Sequence, residues 1–158
     1  MTQSPQTMIK NTWQRLHKKP AGKWLFSQIM NHMVPYSGSI RAKVVSLAPG
    51  QVTLQLKDKR KIRNHLHSIH AIALTNLGEY CSGLALYTSM PEHIRGIVVK
   101  LETEYYKKAR GTLTAVSHCQ CPDVLSNTIY LVNTEIKDQN HELVAKTITH
   151  WRLSPINQ

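Results

Sequence analysis

The sequence predicts an α+β fold in which an antiparallel sheet of five or six strands wraps around one central helix. The helix is predicted at about residues 70–88, because this stretch is apolar or small on almost every side, as in a helix buried all round. A hairpin precedes it and a meander of about four strands follows it. Since a sheet covers a helix from one side only, we expect a second copy of the chain to cover the rest.

Helices precede the sheet in this prediction. Residues 3–32 have a helical pattern, which Pro20 and Gly22 are expected to break into two helices. Pro35 and a loop at 37–39 are expected to close this segment. The apolar stripe of the two helices consists of Trp13, Leu16, Trp24, Phe26, Ile29, Met30 and Met33.

From Ser39 onwards the apolar residues follow a period of two, which indicates strands. A Pro-Gly pair at residues 49–50 marks the turn of a hairpin, and the return strand carries Val52, Leu54 and Leu56 on one face. Further strands are predicted at residues 96–106, 112–117, 128–137 and 142–153. The first of these is expected to alternate without interruption, with one face formed by Ile97, Val99, Leu101, Thr103 and Tyr105.

The length of 158 residues fits one domain, with a helical segment at 1–35 and a core at 39–153. Its longest apolar run is interrupted by Asn76 and Glu79, so no membrane span is predicted. Three cysteines form no even-numbered disulfide framework, and the first residues lack the pattern of a signal peptide. We therefore expect a reduced, cytoplasmic protein.

The charge balance predicts an anionic partner. Lysine and arginine number 20 against 9 acidic residues, which gives a formal net charge of +11. Such a surplus favours nucleic acid, a membrane surface or a small molecule that carries phosphates. The basic residues are not interleaved with aromatics in a stacking motif, and no nucleic-acid-binding fingerprint is present. No specific nucleic-acid partner is therefore predicted.

Glu79 is the only charged residue of the predicted central helix. A carboxylate that loses its hydration there costs several kcal/mol unless other groups compensate, so Glu79 is a functional candidate. The structural alternative is that it reaches a rim or pairs with a basic residue across an oligomer interface. Helical spacing places Thr75, Asn76, Ser82 and Gly83 on its side, where they either line a substrate pocket or allow another element to approach closely.

Several of these residues resemble a known family. Asn64 lies six residues before His70, and Glu79 follows His70 by nine, as in the signature of hotdog-fold acyl-CoA thioesterases. The resemblance covers roughly residues 39–153 and extends to a bacterial subfamily of unassigned function that is also found fused to acetyltransferase-like domains. It implies the hotdog fold. The chain differs from the better-known members in having Ala71-Ile72 where they have a Gly-Gly pair. In those members the glycines let a thioester approach the backbone closely.

The resemblance implies how a thioester would be hydrolysed. Glu79 would act as general base on a water, or as a nucleophile that forms a mixed anhydride. The backbone N–H of Ile72 would bind the carbonyl oxygen at the positive end of the helix. Asn64 would orient the water or the carbonyl, and His70 would either fix the loop by hydrogen bonding or have a purely structural role.

The implied substrate is an acyl group on coenzyme A or on an acyl carrier protein. Coenzyme A or phosphopantetheine would then be part of the substrate, and no separate cofactor is expected. The expected assembly is a homodimer, with pairing into tetramers left open. Phosphates or an acidic carrier surface would favour basic residues at the mouth of the site, for which the candidates are Arg60, Lys61, Arg63, Lys107, Lys108 and Arg110.

The sequence also allows alternatives to thioester hydrolysis, of which the first is metal binding. His65, His67 and His70, or His118 with Cys119 and Cys121, could suggest zinc, but neither group has CxxC-type spacing and alternate positions on a strand point apart. No metal site is therefore predicted. A second alternative is a non-catalytic protein that binds an acyl ligand or another anionic partner. A dehydratase or isomerase is a third alternative, because one fold can carry several functions.

Overall fold

The computed structural model describes residues 4–156, in which three helices are followed by a hairpin, the central helix and four further strands. Gln3, where the sequence predicted the first helix to begin, lies outside the described residues. The elements are α1 at Pro5–Leu16, α2 at Gly22–Met33, α3 at Pro35–Gly38, β1 at Lys43–Ala48, β2 at Gln51–Lys57, α4 at Ala71–Ser89, β3 at Ile94–Tyr105, β4 at Thr112–His118, β5 at Thr128–Lys137 and β6 at Leu143–Pro155.

The six strands form one antiparallel sheet in the order β1-β2-β4-β5-β6-β3. Strand β3 follows α4 in the chain and forms one edge of the sheet, whereas β1 forms the other. Helix α4 contacts all six strands. The predicted sheet around a central helix is therefore confirmed, and α4 begins and ends within one residue of its predicted bounds.

The predicted hairpin is confirmed. The turn contains Gly50 at a φ of +71°, a conformation that glycine adopts without strain. Val52, Leu54 and Leu56 are buried against α4, and the residues between them face outwards. The apolar face of β2 thus forms part of the core under the central helix.

The N-terminal segment forms two long helices with a break between them, as predicted. Gly22 is needed at the start of α2, because a Cβ there would lie 1.8 Å from the carbonyl oxygen of Leu16. The loop predicted after Pro35 is wrong, since Pro35 begins the one-turn helix α3. Proline is favoured at the first position of a helix, where its missing N–H has no partner to lose.

The unbroken alternation predicted for β3 is also wrong. Val98 pairs with Trp151 and Lys100 with His150, so that Val99 is the extra residue of a β-bulge. The bulge reverses the phase of the side chains. Ile97 therefore lies on the outer face of the sheet, whereas Leu101 lies on the helix side with Val98, Thr103 and Tyr105.

Within one chain, helix α4 is open along one stripe, as expected if a second copy covers the rest; burial on every side stays a prediction. The sheet covers one side, and α1 and α3 contact only part of the other. The side chain of Ile72 is 57% exposed, and a stripe of partly exposed residues follows at helical spacing: Thr75, Asn76, Glu79, Gly83 and Tyr87. Neither α4 nor another described helix has both the length and the apolar character required to cross a membrane.

At Gly78 the backbone of α4 lies directly against the sheet. A Cβ at Gly78 would lie 2.5 Å from the Cβ of Thr147 on β6. The hydroxyl of Thr134 on β5 donates to the Gly78 carbonyl oxygen at 3.0 Å. The backbone of the helix thus rests directly on two strands, and this contact sets the position of the residues on the opposite side of α4, including Glu79.

Gly78→Ala is expected to destabilise the protein by about 1–3 kcal/mol, because the added methyl group overpacks the contact with Thr147. This net loss remains after the roughly 1 kcal/mol that alanine gains in helix propensity is subtracted from the cost of overpacking. Gly83→Ala is the matched control, since its methyl group would meet Trp151 at an ordinary 3.5 Å. Urea unfolding of both variants checks the prediction, which is contradicted if the two substitutions shift the midpoint equally.

Candidate functional site

Glu79 lies half-buried on the open stripe of α4. The hydroxyl of Ser37 donates a hydrogen bond to its Oε2 at 3.2 Å. Burial raises the pKa of the Glu79 carboxyl above its ordinary value, and the hydrogen bond from Ser37 partly opposes this rise. The side chain is therefore a stronger base than an exposed glutamate, as proton transfer near neutral pH requires.

Ser37 is a site residue that the sequence analysis missed. It lies on α3, and the side-chain amide of Asn76 on α4 donates to its backbone carbonyl oxygen at 3.5 Å. These contacts hold the one-turn helix over Glu79. Pro35 at the start of a short helix was the available sequence signal, but it does not reveal a partner 42 positions away.

Glu79 forms part of the wall of two cavities. The first, which we call the inner cavity, has a volume of about 360 Å³ and an almost wholly apolar wall. The second, the outer groove, has a volume of about 390 Å³ and extends towards the start of α4. The inner cavity is lined by Pro5, Ile9, Met33, Val34, Ser37, Glu79, Tyr80, Gly83, Leu84, Tyr87, Val98 and Trp151. The outer groove is lined by Tyr36, Ser37, Ile72, Thr75, Asn76, Glu79, Val98 and Leu101.

Of the predicted neighbours of Glu79, three line these spaces and one does not. Thr75 and Asn76 line the outer groove, and Gly83 lines the inner cavity. Ser82 is fully buried on the sheet side of α4, where its hydroxyl lies 3.0 Å from that of Thr149. The indole Nε1 of Trp151 donates to the same hydroxyl at 3.3 Å. The prediction that Ser82 lines a substrate pocket is therefore wrong.

The start of α4 differs from the predicted oxyanion site. His70 is the N-cap residue, and its Nδ1 accepts a hydrogen bond from the backbone N–H of Ile72 at 3.1 Å. The donor assigned to a substrate carbonyl is thus occupied by the imidazole. A carbonyl oxygen could bind there only if the exposed His70 ring turns away.

Asn64 organises the loop that leads into α4. Its side-chain oxygen accepts from the N–H groups of Leu66 at 2.9 Å and Ser68 at 3.2 Å, and also from the Ser68 hydroxyl. An asparagine oxygen with these donors forms a local turn. The oxygen of Asn64 therefore has a structural role, and its predicted role in orienting water or a carbonyl, which would use the side-chain N–H groups, stays a prediction.

The two basic segments of the chain lie side by side near the start of α4. The N–H of Ile69 donates to the Ala109 carbonyl oxygen at 2.9 Å, and that of Asp58 donates to Gly111 at 3.0 Å. These bonds bring the predicted basic candidates of both segments to one end of the molecule. They are Arg60, Lys61 and Arg63 in the first segment and Lys107, Lys108 and Arg110 in the second.

Two of these cations already have carboxylate partners. The Arg63 guanidinium lies 2.7 Å from Asp58, and its hydrogen bond lowers the pKa of that carboxyl. Lys107 contacts Asp138 at 2.7 Å and also contacts Glu142. Neither Lys61 nor Lys108 takes part in an ion pair with another residue of the described range 4–156.

Other reactive side chains form no comparable site. Among the residues that the structure describes, no three or more His, Cys, Asp or Glu side chains are arranged to hold a metal ion. Cys81 is two positions from Glu79 but fully buried, and burial raises the pKa of its thiol to about 12. It is therefore protonated at neutral pH and is not a nucleophile.

Ser37→Ala is expected to raise the pKa of Glu79 further, because the hydrogen bond that favours the carboxylate is lost. A ¹³C NMR titration of the carboxyl groups checks this, with the Glu79 signal assigned from its absence in Glu79→Gln. Ser46→Ala removes an exposed hydroxyl on β1 and serves as control. A Glu79 titration that is unchanged or moves to lower pH in Ser37→Ala contradicts the assignment.

The comparisons with known proteins fit this architecture. A family model described as Domain of unknown function (DUF4442) matches residues 22–153. The chain belongs to this family. The DUF4442 match spans α2 to β6, but it does not include α1, which contributes Pro5 and Ile9 to the inner cavity. No curated protein matches the chain.

Solved structures share the fold. A structural-genomics crystal structure of the protein APC5556 has a TM-score of 0.80 at 26% identity and aligns over 94% of this chain and 99% of its own. A Pseudomonas aeruginosa protein of unknown function, described as a probable thioesterase, has a TM-score of 0.68 at 22% identity, over 78% of this chain and 87% of its own.

A hypothetical thioesterase from Streptococcus pneumoniae, crystallised with coenzyme A, has a TM-score of 0.62 at 18% identity. The alignment covers 74% of this DUF4442 chain and 88% of the other. The predicted hotdog fold is thus confirmed, and it is shared with several solved proteins that are described as thioesterases.

Proposed function

We propose that this protein hydrolyses acyl thioesters, with Glu79 as the group that acts on the reacting carbonyl. The observation that carries the proposal is the position of a carboxyl with raised pKa in the wall between the apolar inner cavity and the outer groove. The acyl chain would occupy the inner cavity, and the carrier would leave through the outer groove. The thioester bond would then lie beside Glu79.

Glu79 would activate a water molecule or attack the carbonyl itself. As a base, the carboxylate accepts a proton from the water while the water oxygen attacks the thioester carbon, and collapse of the tetrahedral intermediate releases the thiol and the acid. As a nucleophile, it forms a mixed anhydride that water then hydrolyses. Either role is assisted by the partial burial of Glu79, since desolvation makes its carboxylate more basic.

A helix N-terminus would stabilise the oxyanion, with the Ile72 N–H as donor. Ile72 and Glu79 are seven residues apart, which is roughly 10 Å along a helix axis. A carbonyl about 3 Å from the Ile72 N–H would thus lie far along the helix from the backbone of Glu79 in the same protomer. We therefore infer that Glu79 of one protomer meets the Ile72 N–H of a second protomer in a homodimer.

The edge of the sheet supports this assembly. Strand β3 has one unpaired side and carries half-exposed apolar side chains such as Leu101, which is 41% exposed. A long apolar edge strand is a template for pairing with another chain. Since Val98 and Leu101 of β3 also line the outer groove, a second copy bound along β3 would bring its own α4 next to Glu79.

The anionic end of the carrier, in coenzyme A or in an acyl carrier protein, would bind basic residues near the start of α4. Arg60, Lys108 and Arg110 are exposed there, and Arg63 and Lys107 are held by their carboxylate partners. The solved thioesterase with bound coenzyme A supports the choice of coenzyme A. No cofactor apart from the carrier takes part in this proposal.

A non-catalytic acyl-binding protein is the second candidate. It is favoured by the hydrogen bond from Ile72 N–H to the His70 ring, which occupies the oxyanion donor. Catalysis requires that the carbonyl oxygen displace the imidazole, whereas simple binding of an acyl chain in the inner cavity does not.

A panel of acyl-CoA thioesters of increasing chain length separates the two functions. We expect release of free thiol from at least one of them, measured with a thiol reagent and compared with the rate without protein. The same thioesters are tested for binding by calorimetry. Saturable binding without thiol release would establish the binding protein and overturn the hydrolase.

A further inference from the structure

A basic cleft opens beside the start of α4, next to the route proposed for the carrier. It has a volume of about 410 Å³ and is lined by residues of α2, the α3 turn and the segment after β2, among them His32, Arg41 and Lys61. Lys61 also lines a groove of about 230 Å³ that contains His70, Ile72 and Asn76. We call this second space the helix-start groove.

The spaces form one continuous path. The helix-start groove shares Ile72, Asn76 and Tyr36 with the outer groove, and the outer groove has Glu79 in its wall. At its other end, the helix-start groove shares Lys61 and Ser39 with the basic cleft. A flexible ligand arm can therefore run from the basic cleft through the helix-start groove to the Ile72 N–H.

The charged residues that line the basic cleft and the helix-start groove are basic. Arg41 and Lys61 line the basic cleft, Arg63 lines the helix-start groove, and neither wall includes an Asp or Glu among the described lining residues. Within 4–156, neither Arg41 nor Lys61 forms an ion pair, whereas Lys107 has two carboxylate partners. Unpaired cations that converge on a concave site favour phosphate groups.

Arg41 is held in an unusual backbone conformation. Its φ is +53°, in the left-handed region that L-residues other than Asn and Asp rarely adopt, and its N–H donates to the Gly38 carbonyl oxygen at 2.9 Å. Glycine would fit this turn without strain. Ala21, His67 and His141 share this conformation, so it supports a binding role only together with the unpaired charge of Arg41.

We propose that the basic cleft binds the phosphates of the nucleotide end of coenzyme A, with Arg41 and Lys61 as the principal ligands. This rests on the thioesterase proposal for the identity of the carrier, but the binding itself needs no catalysis. The arm of coenzyme A then occupies the helix-start groove of the protomer that supplies the Ile72 N–H. Among the basic residues near the start of α4, this assigns the phosphates to Arg41 and Lys61 rather than to Arg60, Lys108 and Arg110.

Calorimetric titration of the full-length protein with unacylated coenzyme A tests the proposal. Lys61→Glu and Arg41→Glu are each expected to weaken binding about tenfold or more, since each replaces a phosphate contact by a repulsive charge. Lys19→Glu changes the net charge equally in the exposed turn between α1 and α2 and is expected to bind as the wild type does. Arg41→Gly should also bind weakly while its melting temperature is maintained or raised, because it relieves the strained turn.

The titrations distinguish failure of the basic cleft from failure of the proposed thioesterase activity. Equal affinity of the wild type, Lys61→Glu, Arg41→Glu and Lys19→Glu overturns the cleft and leaves the hydrolase intact. Loss of binding in Lys108→Glu, with Lys61→Glu unaffected, also overturns it and moves the phosphates to the other basic segment. If wild type binds no coenzyme A, the cleft proposal fails. Hydrolysis of N-acetylcysteamine thioesters, which lack the nucleotide end of coenzyme A, then tests separately whether the protein hydrolyses thioesters through Glu79.

Discussion

Glu79→Gln is expected to lower kcat for thioester hydrolysis by at least about 100-fold, the scale of losing a general base, and by more if Glu79 is the nucleophile. The amide has nearly the shape of the acid, and it can still accept the hydrogen bond from Ser37. The pocket should therefore remain intact while the proton acceptor is lost. Thiol release from the best substrate of the acyl-CoA panel measures the effect.

The same variant should be at least as stable as the wild type at neutral pH. Because burial raises the pKa of Glu79, the folded protein holds this proton more tightly than the unfolded chain does. The contribution of Glu79 to stability therefore falls as pH rises from the ordinary glutamate range through the raised pKa, and glutamine removes this loss. Undiminished hydrolysis by a folded Glu79→Gln would remove the residue from the mechanism.

Ile72→Pro is expected to lower hydrolysis by about 100-fold or more, because it removes the N–H that would bind the oxyanion. Proline is tolerated in the first turn of a helix, where it breaks no backbone bond of the helix, although it removes the hydrogen bond from the Ile72 N–H to the His70 ring. Equal amounts of Ile72→Pro and Glu79→Gln, refolded together, should then recover about one quarter of wild-type activity. Half of the dimers are mixed, and each mixed dimer has one of its two sites intact.

Two controls make the complementation decisive. Ile72→Ala keeps the N–H and tests the exposed side chain alone. Ala71→Pro removes the neighbouring N–H, and the extended backbone of His70, with a ψ of 141°, suits a following proline. Both are expected to retain most of the activity. A mixture of Ile72→Pro and Glu79→Gln that stays inactive would place both groups in one protomer and contradict the shared site.

The sequence was informative where local pattern decides the structure. The stretch that became α4 is apolar at almost every position, and the return strand of the hairpin alternates strictly, so both elements could be predicted. The bulge at Val99 could not, because the residues on either side keep the alternating composition of a regular strand. Only pairing with β6 reveals that the side chains change face at this point.

The site was less predictable because its contacts are long-range or depend on side-chain direction. Spacing around Glu79 could not tell which neighbours face the sheet, since a helix apolar all round has no obvious side. Gly78, rather than Gly83, is the glycine of α4 at which a Cβ would clash with the sheet. Ser37 reaches Glu79 from a separate helix, and the occupation of the Ile72 N–H by His70 depends on the ring orientation.

The pH dependence of kcat/KM for the best thioester tests most directly whether the half-buried carboxylate of Glu79 does the chemistry. We expect a rising limb whose midpoint lies above the ordinary glutamate pKa of about 4.3 and moves to higher pH in Ser37→Ala. The limb should disappear from the residual activity of Glu79→Gln. A limb that has the same midpoint in all three proteins would contradict the role of Glu79.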